Sequence, residues 1–194
     1  MNKSALKTIF SVLAASVLLY SCDNDDDKPN DPDPVPDQSF TQSFDDMNAA
    51  EAQGWVFTNL SDDPNGGWTV TDETPNGFEP FEGAGLLFSD YTAANDVDGN
   101  ISNWAISPPR VIQNGDKISF YTLSHGSIGY GASGSFGDRL QLRLASLGAA
   151  DSIGEGSKEL GFFTTPLLDI NPLYRTTGPG DYPTTWTKYE AVVS

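Results

Sequence analysis

The sequence predicts an all-β fold, an antiparallel jelly-roll-like β-sandwich, and three observations carry that prediction. The first is composition: 19 Gly and 13 Pro among 194 residues, with many Asn, Ser and Thr, favour turns over helices. The second is pattern. Short β-branched and aromatic runs alternate between apolar and polar positions with period two, the spacing that puts one strand face inward and one in water. The third is the lack of a convincing amphipathic-helix pattern anywhere in the chain.

Taken in order, residues 39–44 read as a first strand and 46–53 as one or two helical turns. Trp55-Val56-Phe57-Thr58 and Trp68-Thr69-Val70-Thr71 are β-branched and aromatic. The turn chemistry of Asp62-Asp63-Pro64-Asn65-Gly66-Gly67 separates them. Residues 85–89 form a small apolar run. Asn114-Gly115 is a hairpin signal, expected to join 110–112 to a strand from Lys117 onward. There Ile118, Phe120 and Thr122 alternate with Ser119, Tyr121 and Leu123. The same alternation sets Leu140, Leu142 and Leu144 against Arg139, Gln141 and Arg143, and Tyr189, Ala191 and Val193 against Lys188, Glu190 and Val192. Aromatic residues at 11% of the chain are enough to build a core.

Charge excludes one class of partner. With 27 Asp and Glu against 10 Lys and Arg, the net charge of -17 repels phosphate backbones and argues against nucleic-acid binding. The single cysteine means that no intrachain disulfide helps the core.

The first residues read as an address. Residues 1–21 form a signal peptide: Lys3 and Lys7 precede an apolar run over 9–20 that only Ser11 and Ser16 interrupt. That run is shorter than the ~20 residues a membrane-spanning helix needs. Leu19-Tyr20-Ser21-Cys22 resembles the lipobox of bacterial lipoproteins, although Tyr20 is bulkier than the usual small residue. The resemblance implies cleavage before Cys22, acyl chains on its sulfur and the membrane as a partner. Asp23-Asn24-Asp25-Asp26-Asp27 resembles the export signal of Bacteroidota surface lipoproteins, which implies the outer face of the outer membrane. Residues 22–38 are expected to be a lipidated, disordered, acidic and Pro-rich tether that extends at ~3.1 Å per residue. A single folded domain then spans 39–194.

Within that domain an ordered set of motifs stands out. Gln42-Ser43-Phe44-Asp45-Asp46, Gly54-Trp55 and Gly67-Trp68 open it. Ser102-Asn103-Trp104-Ala105-Ile106-Ser107-Pro108-Pro109 and Gly115-Asp116-Lys117-Ile118-Ser119-Phe120-Tyr121 follow, and Trp186-Thr187-Lys188-Tyr189 comes last. Together they resemble the choice-of-anchor J domain, which is related to the cleaved adhesin domains of surface haemagglutinins. The resemblance implies a jelly roll at the cell surface, a role in adhesion or as an accessory module, and calcium as a cofactor. Family members continue past the Trp-x-x-Tyr strand, so the resemblance also implies either a fragment or a domain lacking its last strands.

Several residues are candidates for chemistry. Calcium takes oxygen ligands, and Asp45, at the family's opening Phe-Asp, is the first candidate. Asp62 and Asp63, with Asn65, form a second oxygen-rich loop, and Asp96-Val97-Asp98-Gly99-Asn100 a third; neither has the spacing of an EF-hand. Gly129-Tyr130-Gly131-Ala132-Ser133-Gly134 matches G-x-G-x-x-G, but a strand rather than a helix follows, which rules out dinucleotide binding. Residues 131–135 do not space as a nucleophile elbow. His125 is the sole histidine; its neighbours Ser124 and Ser127 do not make a triad with it, and zinc lacks ligands. Trp55, Trp68, Trp104 and Trp186 read as core anchors, any of which could stack on a sugar, while Tyr91, Tyr121 and Tyr130 read as surface aromatics. Asp151-Ser152-Ile153 resembles a Bacteroidota O-glycosylation acceptor at Ser152. The expectation is a non-catalytic surface protein for adhesion or for binding a glycan or protein outside the cell. Two alternatives stand beside it: the accessory end of a longer secreted hydrolase or peptidase, and a glycan-binding component of a polysaccharide-uptake system.

Overall fold

The computed structural model describes residues 37, 39–73, 77–95, 98–124, 136–145 and 153–194. Cys22, Asp96, His125, Ser127, the glycine-rich run over 129–134, Tyr130 and Ser152 lie outside the described residues. Asp37–Ser194 forms one compact unit.

The all-β expectation holds. Among the described residues the helical content is α1 (Met47–Ala52) and a 3-10 turn at Tyr91–Ala93. Among the described residues, eight strands form four two-stranded antiparallel sheets. β1 (Val56–Asn59) pairs with β4 (Asn103–Ile106), and β2 (Trp68–Thr71) pairs with β3 (Leu86–Ser89) inside that span. The second half repeats the scheme. β5 (Lys117–Thr122) pairs with β8 (Thr187–Val192), and β6 (Leu140–Leu144) with β7 (Thr165–Ile170) between them. A jelly roll winds such nested pairing once over eight strands; here it occurs twice, over four strands each. β2 packs beside β1 and β4, and β7 beside β8.

Local chemistry explains the first elements. Asp46 caps α1, its carboxylate accepting from the Ala49 N–H at 2.9 Å. Gly54, at φ 95°, turns the chain out of the helix into β1. Asn59 then donates from Nδ2 to the carbonyls of Gly66 and Ala93, which ties the end of β1 to the β2 approach and the 3-10 turn. Asn103 donates to Ser89 Oγ at 2.6 Å, joining β4 to β3. Apart from Tyr182, the deepest apolar positions are small or aliphatic, among them Ala50, Leu86, Ile106, Ile153, Ile170 and Ala191. Aromatic rings cluster at half depth instead: Phe44, Trp55 and Phe57 in one group, Trp104 with Phe163, and Phe120 with Tyr189.

Three elements differ from the sequence reading. Residues 39–44 are not a strand; Phe44 takes φ 57°, a left-handed turn that ends any extended run. Residues 110–112 are not a hairpin arm. Pro108 and Pro109 lack the N–H groups that a ladder needs, and Arg110 instead lies over the Phe40 ring at 4.2 Å. The turn at Asn114-Gly115 exists, but β5 takes the distant β8 as its partner, and the Gly115 N–H bonds to the Val193 carbonyl at 2.8 Å. β7 escaped the reading because Pro166 sits within it. The structure accommodates that proline at a register shift, where Leu142 opposes Leu168 but Arg143 opposes Pro166.

The turn that leaves β7 depends on Asn171, which is 3% exposed and holds φ 55°. Its Oδ1 accepts from the Arg175 N–H, and its Nδ2 donates to the carbonyls of Asp138 and Arg175. Asn171→Ala loses all three bonds and places an alanine in the left-handed region, so it should lower unfolding free energy by about 3 kcal/mol. Asn171→Gly relieves the backbone alone and should fall between the two in urea denaturation.

Candidate functional site

The β5–β8 ribbon has two unlike faces, because directly opposed residues in an antiparallel pair share a face and neighbours along a strand do not. Its inner face carries Ile118 opposite Ala191, Phe120 opposite Tyr189 and Thr122 opposite Thr187. Thr122 Oγ1 lies 2.7 Å from the hydroxyl of Tyr182, which is 4% exposed and whose pKa burial pushes up to about 12. The outer face carries Lys117 opposite Val192, Ser119 opposite Glu190 and Tyr121 opposite Lys188. Lys117 and Glu190 pair at 2.9 Å, and Lys188 lies 3.7 Å from the same carboxylate.

The aromatic end of this outer face draws rings from three segments. Phe81 stacks on Tyr121 with ring centroids 3.7 Å apart and planes 15° from parallel. Trp186, just ahead of β8, meets Phe81 edge-on at 6.1 Å. The Trp186 indole N–H donates to the Glu79 carbonyl at 3.1 Å, so it is pinned to the loop that displays Phe81. Phe81 is 47% and Tyr121 42% exposed. Leaving that much of each ring in water forgoes roughly 2–3 kcal/mol of burial per ring.

The loop that presents Phe81 is held from its far end by Asp45. Asp45 Oδ1 accepts from the N–H groups of Ala84, at 2.6 Å, and Gly85, at 2.9 Å; Oδ2 accepts from Ser43 Oγ at 2.6 Å. The Ser43 hydroxyl and then the Ala84 N–H hold the Asp45 carboxyl below the usual carboxylate range. The approach demands glycine. A methyl on Gly85 would sit 2.6 Å from the Phe44 carbonyl, and one on Gly83, at φ 81°, would run into Asp45 Oδ1. The leading calcium candidate is therefore the clasp of the loop that carries Phe81.

The other candidates take separate places. Asp62 joins the second and third oxygen-rich loops: its Oδ2 accepts from the backbone and side-chain N–H groups of Asn100, at 2.9 and 2.7 Å. Its Oδ1 accepts from Ser157 Oγ at 2.6 Å, which links the two nested halves of the fold. Asp63 is exposed at φ 48°, and its carbonyl accepts from the Asn95 N–H. The oxygens near these turns suit calcium in type, but Asp45 and Asp62 already accept hydrogen bonds on both oxygens. Among the described residues no three His, Cys, Asp or Glu side chains gather as a metal cluster.

All four tryptophans are half-buried, and of these Trp186 belongs to the exposed cluster. Tyr91, at 80% exposure, is a surface aromatic as expected. Phe81 was missed because it sits in a Pro- and Gly-rich loop with no strand pattern around it; an aromatic residue flanked by Pro80 and Gly83 was the available signal. Among the described residues no helix is long and apolar enough to cross a membrane. No family model, no curated protein and no solved structure matches the chain.

Asp62 sets a pH dependence. Its hydrogen bonds, that from Ser157 first, lower its pKa from 3.8 to about 2. A carboxyl depressed by folding stabilises fully above its unfolded value and loses that contribution as pH falls through the folded one. The melting temperature should therefore drop on acidification between about pH 5 and pH 2, and Asp62→Asn should flatten that acid limb in thermal melts.

Proposed function

We propose that this chain is a lipid-anchored, non-catalytic surface protein of the choice-of-anchor J type that captures a glycan or protein ligand outside the outer membrane. The observation that carries the capture reading is the rigid, exposed aromatic cluster of Phe81, Tyr121 and Trp186. Two of its rings are left half in water on a ribbon whose inner face is packed. The anchor reading draws on Leu19-Tyr20-Ser21-Cys22, the acidic run over 23–27 and the Pro-rich stretch behind it. A tether of that composition holds a domain clear of the lipid, which suits capture from the medium better than chemistry on the membrane. The family reading rests on the motifs from Gln42 to Tyr189.

Calcium belongs to this proposal as a ligand of the Asp45 and Asp62–Asp63 turns. Its check is a rise in melting temperature on adding calcium to the chelator-treated protein, and no rise discards it.

The anchor has its own test. Wild-type protein should sediment with membranes, incorporate labelled palmitate and be degraded by protease added to intact cells. Cys22→Ala should abolish the label and release the protein from the membrane fraction. Unchanged membrane association in Cys22→Ala would refute the anchor.

A further inference from the structure

We infer that Phe81, Tyr121 and Trp186 form a carbohydrate-stacking platform that binds a neutral hexose unit of a glycan, with Lys188 and Ser119 on its polar rim. This deepens the capture reading and rests on it for the protein's place outside the cell.

The size of the patch decides the kind of partner. Three half-exposed aromatic rings present roughly 200–300 Å², whereas a standard protein interface takes about 800 Å² from each partner. The patch is also bounded: along the same ribbon face lie Ser119, Lys188, Glu190 and Lys117 before the next exposed apolar side chain, Val192. A folded partner would have to desolvate those charges to reach further, so a small ring fits where a protein surface does not.

Charge narrows the ligand chemistry. Exposed aromatic faces also attract cations, but Lys188 stands directly across from Tyr121 on the same face and opposes a cationic ligand. Polyanions meet the protein's net charge of -17. A pyranose ring satisfies what remains: its axial C–H face lies flat on an aromatic ring, and its hydroxyl edge meets Lys188, Ser119 and Glu190.

Rigidity favours binding at low entropic cost. Tyr121 is fixed inside a six-residue ladder, Trp186 by its bond to the Glu79 carbonyl, and Phe81 by the Asp45 clasp at Ala84 and Gly85. Asp45 thereby acts as a positioning residue for the platform, touching the loop and not the ligand.

The test is native affinity electrophoresis of the purified full-length protein through gels containing mixed-linkage β-glucan, xylan, galactomannan or pullulan. The expected result is retardation by at least one polymer. Tyr121→Ala and Phe81→Ala should each weaken the binding about tenfold or more, with circular dichroism and melting temperature close to wild type. Tyr121→Phe keeps the ring and should retain binding; Tyr91→Ala, outside the platform, should match wild type. Asp45→Asn should weaken binding through a mobile Phe81 loop, seen as faster proteolysis near Gly83. No retardation in any gel, or full retardation of Tyr121→Ala and Phe81→Ala, overturns the platform. Either outcome leaves the anchor reading to the fractionation of Cys22→Ala, so the two failures are told apart.

Discussion

One carboxylate organises much of this domain's exposed surface. Asp45 receives two backbone N–H groups and a serine hydroxyl, and its clasp reaches across forty residues of chain to the Gly83–Gly85 turn. The same loop is also tied where Phe81 stacks on Tyr121 and where the Trp186 indole donates to the Glu79 carbonyl. It runs from a ring stacked on β5 directly into β3, whose first residue, Leu86, is buried. The left-handed Phe44 and the glycines at 83 and 85 follow from the same contact, since they let the backbones approach closely enough for the carboxylate to reach its donors.

A second carboxylate does comparable work between the halves. The nested pairing of β1 with β4 and of β5 with β8 keeps each half's ladders to itself. Links between the halves then come from loops and side chains, and the Ser157–Asp62 bond is one of them. Asp45 is exposed and Asp62 half-buried, and the role of both is geometric: they satisfy loop N–H groups that would otherwise turn to water, and they select one loop conformation among many. Acidic residues of a type that suits metal chemistry thus also serve as loop architecture. Asp46 at the helix cap and Asp90, which caps the 3-10 turn by accepting from Thr92, extend the pattern.

The two faces of the β5–β8 ribbon connect architecture to function. Period-two alternation places Phe120 against Tyr189 inside and Tyr121 outside, so a single-residue slip would bury the exposed ring and expose the packed one. The register is held by ladder bonds and by the continuation of the pairing beyond the strands, where Val193 donates to the Asp116 carbonyl. Tyr121 on the outer face therefore stands within a six-residue ladder.

The sequence by itself determined the all-β class, the period-two faces of β5 and β8, the short helix after Asp46 and the surface position of Tyr91 and Tyr121, whereas β6 is half-buried along its whole length. Each of the features it determined is a local consequence of side-chain type and spacing. It also supplied Asp45 and Trp186 as residues of interest, with metal ligation expected for the first and core anchoring or sugar stacking for the second. Only the tertiary structure decided which strand pairs with which, because a hairpin signal such as Asn114-Gly115 specifies a turn and not the partner of the strand that follows. Only the tertiary structure, likewise, brought Phe81 onto Tyr121 and beside Trp186, residues 40 and 105 positions away in the chain. Turn propensity and periodicity act over a few residues; the clasp, the nested ladders and the aromatic cluster are contacts between segments that nothing local connects.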